Sequence, residues 1–191
     1  EWMAEIINIK SKAIELIVEK KVKDISEQRP IKLYFSPLKR SPNEILVQKC
    51  TEIGVNIFQP VAIEHTNISK VNVDRLKLIS TEAIEQSAQL IIPKINQTIS
   101  FKNFIEQISS NEIVIACTVQ CKNMSISQIV KDNLNKDISI LIGPEGDFSK
   151  TELENIKTNI NIVEASLGEN ILKGETATIV AAALVMDNSF S

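Results

Sequence analysis

The sequence predicts an α/β fold, a mostly parallel sheet with helices on both faces. Three observations carry that expectation. From about residue 31 onward, short apolar runs of β-forming residues alternate with segments of helical periodicity. Two of those runs, residues 112–117 and 138–142, are apolar enough for strands buried on both faces. The 191 residues, 43% hydrophobic and 24% charged, suffice for a sizeable core and lie far from the composition of disordered chains.

Residues 1–28 stand apart. Residues 3–9 and 13–19 read as two short strands, followed by a polar stretch that runs to Pro30. Two strands alone are marginally stable. The expectation is therefore the end of a small β domain over residues 1–28, ahead of a main domain over residues 31–191. The main domain opens with a strand at 31–35, stopped by Ser36-Pro37. Ser41-Pro42-Asn43-Glu44 reads as a helix start, with Ser41 as N-cap and Gly54 as the matching C-cap. Residues 56–63 form the next strand. Leu76, Ile79, Ala83, Ser87 and Leu90 recur at helical spacing in a helix over 74–90, capped by Asp74 and closed off by Pro93. A helix over 125–131 separates the two apolar strands. Ser149 caps a further helix, 160–163 is a strand, and a last helix over 175–186 is apolar nearly all round and expected to be buried.

Composition narrows the chemistry. The net charge of −3 argues against a uniformly basic polyanion binder, yet residues 10–23 carry five lysines, and Lys39-Arg40 precedes a helix. His65 is the single histidine, and no G-x-S-x-G accompanies it, which removes most of the weight from hydrolase readings. Cys50, Cys117 and Cys121 lack the paired spacing of a zinc site, so no metal is expected and a reducing cytoplasm fits best. No run of 18 apolar residues is present, and Glu1-Trp2-Met3-Ala4-Glu5 does not read as a secretory signal.

In parallel sheets ligands bind beyond the carboxyl ends of strands, so the loops there are the place to look. Two carry glycines. Ile142-Gly143-Pro144-Glu145-Gly146-Asp147-Phe148-Ser149 joins an apolar strand directly to a helix, and its N–H groups could hold a carboxylate or a ribose. It has neither dinucleotide nor P-loop spacing. Ser166-Leu167-Gly168-Glu169-Asn170-Ile171-Leu172-Lys173-Gly174-Glu175-Thr176-Ala177 places Ile171 and Leu172 between polar stretches, reasonable as the floor of an adenine pocket.

Together the two loops closely resemble the signature of the 16S rRNA uridine-N3 methyltransferases, the RsmE family of the SPOUT superfamily. Gln48-Lys49-Cys50-Thr51-Glu52-Ile53-Gly54-Val55, with Lys39 ahead of it, and Glu82-Ala83-Ile84-Glu85-Gln86-Ser87 followed by Pro93 resemble further family segments in the same order. The resemblance covers roughly residues 31–187. Trp2-Met3-Ala4-Glu5-Ile6 resembles the end of the family's N-terminal PUA-like β-barrel.

The resemblance implies a C-terminal trefoil knot, a cytoplasmic homodimer, S-adenosyl-L-methionine as cofactor, and 16S rRNA of the small ribosomal subunit as substrate, with no membrane and no metal. By position it implies a cofactor pocket of Leu141, Ile142, Gly143, Gly146, Ser166, Leu167, Gly168, Ile171 and Leu172. It implies Glu175, Glu145 and Lys173 at the reacting end, and Lys39, Arg40, Lys49 and Asn170 against RNA. Gln89, Asn170 and Lys173 stand where the family usually has arginine, which weakens the substrate assignment more than the cofactor assignment. Two alternatives stay open: a non-catalytic RNA-binding or assembly protein of the same fold, and a knotted methyltransferase for another RNA position.

Overall fold

The computed structural model describes residues 1–24, 29–66, 70–122, 124–144 and 146–189. The first half of the chain runs β1 (Trp2–Lys10), β2 (Ala13–Lys21), β3 (Lys32–Phe35), α1 (Arg40–Ile53), β4 (Ile57–Ala62), α2 (Val73–Ser87) and β5 (Lys94–Ile95). It continues with β6 (Ile99–Ser100), α3 (Phe101–Gln107), β7 (Glu112–Cys117), α4 (Ile126–Asp132), β8 (Asp137–Ile142), α5 (Lys150–Thr158), β9 (Ile162–Ala165) and α6 (Gly174–Ser189).

β1 and β2 pair antiparallel as a sheet of their own, with every residue exposed. The other seven strands form one sheet in the order β5-β4-β3-β8-β7-β9, with β6 beside β4, and every pairing in it is parallel. The expected α/β architecture is therefore present. Side chains alternate across the sheet, so sequence neighbours serve opposite layers. Leu33, Phe35, Ile115, Ile140 and Ile142 pack with α1, α2, α4 and α6. Tyr34, Val114, Ala116 and Leu141 pack on the other face with Phe104 of α3 and Leu153 and Ile156 of α5. Tyr34 and Phe104 meet edge to face, with ring centroids 4.6 Å apart.

β8 lies between β3 and β7, both earlier in the chain. α6 then returns to pack against α1, α4 and β8. This path brings the carboxyl ends of β3, β8, β7 and β9 side by side.

Several local expectations need correction. Lys39, rather than Ser41, is the N-cap of α1, and it makes no side-chain cap. Asn43 supplies the local order instead, accepting from the Leu38 N–H at 3.0 Å and donating to the Leu38 carbonyl at 2.6 Å. Pro42 still falls in the first turn, where a missing N–H costs nothing. Asn72, rather than Asp74, caps α2 by accepting from the Arg75 N–H, and the helix ends at Ser87 with Ala88 left-handed at φ 53°, short of Leu90. α6 is buried along Thr178, Ala181, Ala182 and Val185, while Ala183 is exposed and Val180 half-buried, so the helix is not buried all round. Gly54 (φ 114°) and Ser149 cap as expected, the latter in a capping box with Glu152.

At the amino ends of the strands, opposite the glycine loops, Glu112 is buried and accepts from Lys32 Nζ at 3.1 Å, Tyr34 OH at 3.2 Å and Ser139 Oγ. Burial works against the Lys32 charge, but the hydrogen bond to Tyr34 and the Glu112 carboxylate outweigh it and hold the amine above its ordinary pKa. Burial pushes the Tyr34 phenol up.

Candidate active site

A cleft opens where β7, β8 and β9 end and α6 begins. The loop after β8 contributes Ile142, Gly143, Pro144 and Asp147, and the loop after β9 contributes Ser166 to Leu172 without a break. Cys117, Thr118, Val119 and Cys121 close a third side, and Gly174 and Ala177 from the first turn of α6 close the fourth. Gly-bearing loops that lie apart in sequence thus share one wall-to-wall site.

The loop after β8 is held from below and from the side. A Cβ on Gly143 would come within 2.7 Å of the Phe148 ring, so the glycine lets Phe148 fold under the loop into the α3–α5 core. Asp147 takes φ 59°, donates its N–H to the Pro144 carbonyl at 3.0 Å and accepts from the Phe148 N–H through Oδ1 at 2.9 Å. His65 Nδ1 lies 3.0 Å from the Asp147 carbonyl oxygen, which pins the loop after β4 against the loop after β8. Glu152 strengthens the same seam, accepting from the Glu64 and Ser149 N–H groups at 2.9 Å each. The Ser36 N–H donates to the Ile142 carbonyl at 3.0 Å, and the Ser36 and Thr66 hydroxyls are 2.7 Å apart.

The loop after β9 turns at Gly168, where φ is 111° and nothing lies within 4 Å of an added Cβ. The Gly168 N–H donates to Ser166 Oγ at 3.2 Å. Leu167 packs against the main core, whereas Ile171 is 81% exposed although apolar. Ile171 therefore sits on the rim of the cleft rather than on its floor, with Leu172 half-buried behind it.

Of the residues that the sequence nominated for a cofactor, Ile142, Gly143, Ser166, Leu167, Gly168, Ile171 and Leu172 line this cleft. Leu141 does not: β alternation turns its fully buried side chain to the other core. Gly146 faces the His65 side chain, 3.3 Å from an added Cβ. Among the nominated RNA contacts, Asn170 lines the cleft, and Lys39 adjoins it through Leu38, which touches Gly174. Arg40 is paired with Glu44 at 3.0 Å. Lys49 is paired with Glu52 at 2.9 Å and lies about 15 Å further along α1 at 1.5 Å per residue, away from the cleft. Lys173 is exposed at the entry to α6, and Glu175 is half-buried in its first turn. Glu145 lies outside the described residues.

Sequence reasoning missed the 117–121 loop. It has no glycine and no motif, and its one signal was position, directly after a buried parallel strand. Cys117 and Cys121, which the sequence weighed only for their lack of zinc-site spacing, both line the cleft. Burial pushes the Cys117 thiol up to about 12. Thr118, buried, donates to Glu164 Oε1 at 2.7 Å and so ties this wall to β9. Among the described residues no cluster of His, Cys, Asp and Glu could hold a metal ion, and no helix is long and apolar enough to cross a membrane.

Comparisons with known proteins agree with this geometry. The family profile of the RNA methyltransferase domain matches residues 26–186. The ribosomal RNA small subunit methyltransferase E of Rickettsia conorii is 29% identical over 185 residues, covering 97% of this chain and 75% of that protein. The enzyme of the same name from Mesomycoplasma hyopneumoniae is 31% identical over 169 residues, covering 85% and 72% respectively. The crystal structure of the Neisseria gonorrhoeae ribosomal RNA small subunit methyltransferase E bound to S-adenosyl methionine superimposes with a TM-score of 0.84 at 22% identity, over 97% of this chain and 78% of that one. That likeness is one of fold.

Proposed function

Because the chain belongs to the ribosomal RNA small subunit methyltransferase E family, we propose that it transfers the methyl group of S-adenosylmethionine to N3 of a uridine in 16S rRNA, as a cytoplasmic homodimer. The observation that carries this reading is the convergence of the loops after β7, β8 and β9 with the start of α6 in one cleft. The donor set suits the cofactor. Ile142, Leu167 and Leu172 offer apolar surface to a purine, while Ser166, Asp147 and the backbone of the glycine loops offer hydrogen bonds to a ribose and an amino-acid end. The Neisseria gonorrhoeae relative holds this cofactor in the same fold. We take residues 1–28 as part of a PUA-like β domain, residues 31–191 as the methyltransferase domain, and the return of α6 as the knot.

When bound, the cofactor supplies an electrophilic sulfonium methyl. The residues of this chain must remove the uridine N3 proton and steady the negative charge that spreads onto the flanking carbonyl oxygens. Glu175, in the first turn of α6, is the preferred base, with Glu145 on the loop after β8 the second candidate. Lys173 and the N–H groups at the start of α6 face that charge, with the helix dipole favouring an anion there. Holding base and methyl in line supplies much of the remaining rate.

Calorimetric titration with S-adenosylmethionine is the first test, on the parent and on Ile171→Asp. Ile171 is exposed, so the variant should fold normally and bind roughly tenfold more weakly, a loss of about 1.4 kcal/mol. A folded parent that binds no cofactor would refute the reading. Mass spectrometry of small ribosomal subunits incubated with the chain should then show N3-methyluridine. Methylation elsewhere in the RNA would instead support the alternative target position.

A further inference from the structure

A second cleft adjoins the first, between the first turns of α1 and α2. Leu38 bounds it, and the same side chain would lie 3.0 Å from a Cβ on Gly174 at the start of α6, so one leucine separates the two clefts. The cavity measures about 320 Å³, within the ~300–1,000 Å³ range of small-molecule sites. Leu38, Val71 and Leu76 give it an apolar lining, and Arg40, Lys70 and Arg75 a cationic rim.

The rim is organised by one carboxylate. Glu44 accepts from Arg40 Nε at 3.0 Å, from Arg75 Nε at 3.2 Å and from Arg75 Nη2 at 3.4 Å. Those two guanidiniums hold the Glu44 carboxyl below the usual carboxylate range. One carboxylate cannot neutralise two guanidiniums, and each still has N–H donors to spare. Lys39, the N-cap of α1, lies in the chain between Leu38 and Arg40 of this lining. Within the lining, Arg40, Lys70 and Arg75 outnumber Glu44, the one carboxylate there, on a molecule whose net charge is −3. That local excess is what a polyanion needs.

We propose that this cleft is a subsite for a nucleotide next to the target uridine in single-stranded RNA, a proposal that rests on the methyltransferase reading above. The apolar lining takes the unstacked base, and Arg40, Lys70 and Arg75 hold the phosphates around it. An apolar floor with a basic rim is the pairing of features that binds splayed RNA, where bases leave the stack and the backbone must still be neutralised. Leu38 then divides the substrate between a reacting base and a neighbour, and clamping that neighbour fixes how deeply the target base enters.

Direct RNA binding tests this without methyl transfer. Fluorescence anisotropy of a short uridine-containing oligonucleotide is measured against salt, for the parent, Arg75→Gln, Lys70→Gln and Lys94→Gln. Lys94 is exposed at the amino ends of the strands and serves as the control. Arg75→Gln and Lys70→Gln should each weaken binding about three- to tenfold and lower the salt slope by about one, with Lys94→Gln unchanged. Val71→Ser should weaken the base-bearing oligonucleotide and leave an abasic one of equal charge unaffected. S-adenosylmethionine affinity, read by calorimetry, should be the same in all four variants. Parent-like RNA affinity in Arg75→Gln, an equal loss in Lys94→Gln, or equal effects of Val71→Ser on both oligonucleotides would overturn the proposal. A parent that binds RNA in this way but no S-adenosylmethionine would strike the methyltransferase reading alone.

Discussion

Gln89 shows how a single side chain can mislead when read from sequence. It stands where the resembling family has arginine, and a lost charge at that point suggested a lost RNA contact. Its amide instead donates to the Thr51 and Glu52 carbonyls at 2.8 and 2.9 Å, closing the carboxyl end of α1. An arginine can make the same donations, so Gln89→Arg should keep the parent melting temperature, while Gln89→Ala should cost about 1 kcal/mol in thermal unfolding. The thiols make a second case. Cys121 and Cys117 are both half-buried at the cleft and Cys50 is fully buried, and desolvation pushes the Cys117 and Cys50 thiols up to about 12. Maleimide at pH 8 should therefore label Cys121 first, and S-adenosylmethionine should slow that labelling; mass mapping of the adducts decides it. Glu175→Gln should lower kcat by about a hundredfold or more, with cofactor affinity unchanged by calorimetry; an unchanged kcat would remove Glu175 as the base.

Among the elements, those with a clear apolar run or helical period were legible, even the four-residue β3 and β9, whereas β5, β6 and α3 were not. β7 and β8 announced themselves because buried parallel strands leave continuous apolar runs. β5 and β6 are two residues each, too short for any period, and α3 spans only seven residues, with Phe104 its one fully buried side chain. The N-caps of α1 and α2 each lie two residues ahead of the expected one because several polar side chains compete there, and backbone angles decide among them. Ser149 was legible because Glu152 completes its capping box three residues on. That box has a second duty, since Glu152 also holds the Glu64 N–H beside the glycine loop. Ser149→Ala should cost about 1 kcal/mol in denaturant unfolding and also weaken cofactor binding; a stability loss with unchanged affinity would show that the seam does not order the loop. Two of the cleft's walls were readable from glycines, whereas the 117–121 wall was visible only once the sheet order put β7 beside β8 and β9.

Across the whole molecule the two ends of the sheet do different work. The carboxyl ends carry the clefts, and the amino ends carry the Lys32–Tyr34–Glu112 network. Lys32 and Tyr34 both hold their protons more tightly folded than unfolded, so their contribution is complete at neutral pH and declines as pH rises past their ordinary values, about 10.5 and 10.0 respectively. Melting curves between pH 8 and 11 should fall more steeply above pH 10 in the parent than in Tyr34→Phe. The fold class was legible from alternation alone, but the order β3-β8-β7 was not, because nothing in a strand's own residues names its neighbour. That order has a consequence for synthesis. β8 fills the gap between β3 and β7 only after roughly a hundred further residues have been made, an interval of about 5–20 s at ribosomal rates of ~5–20 residues per second. Until then a nascent chain holds two half-sheets with open edges, and three of the four walls of the cleft do not yet exist. Binding competence therefore arrives late and all at once, and a chain stalled before α6 would be a client for chaperones rather than a weak enzyme.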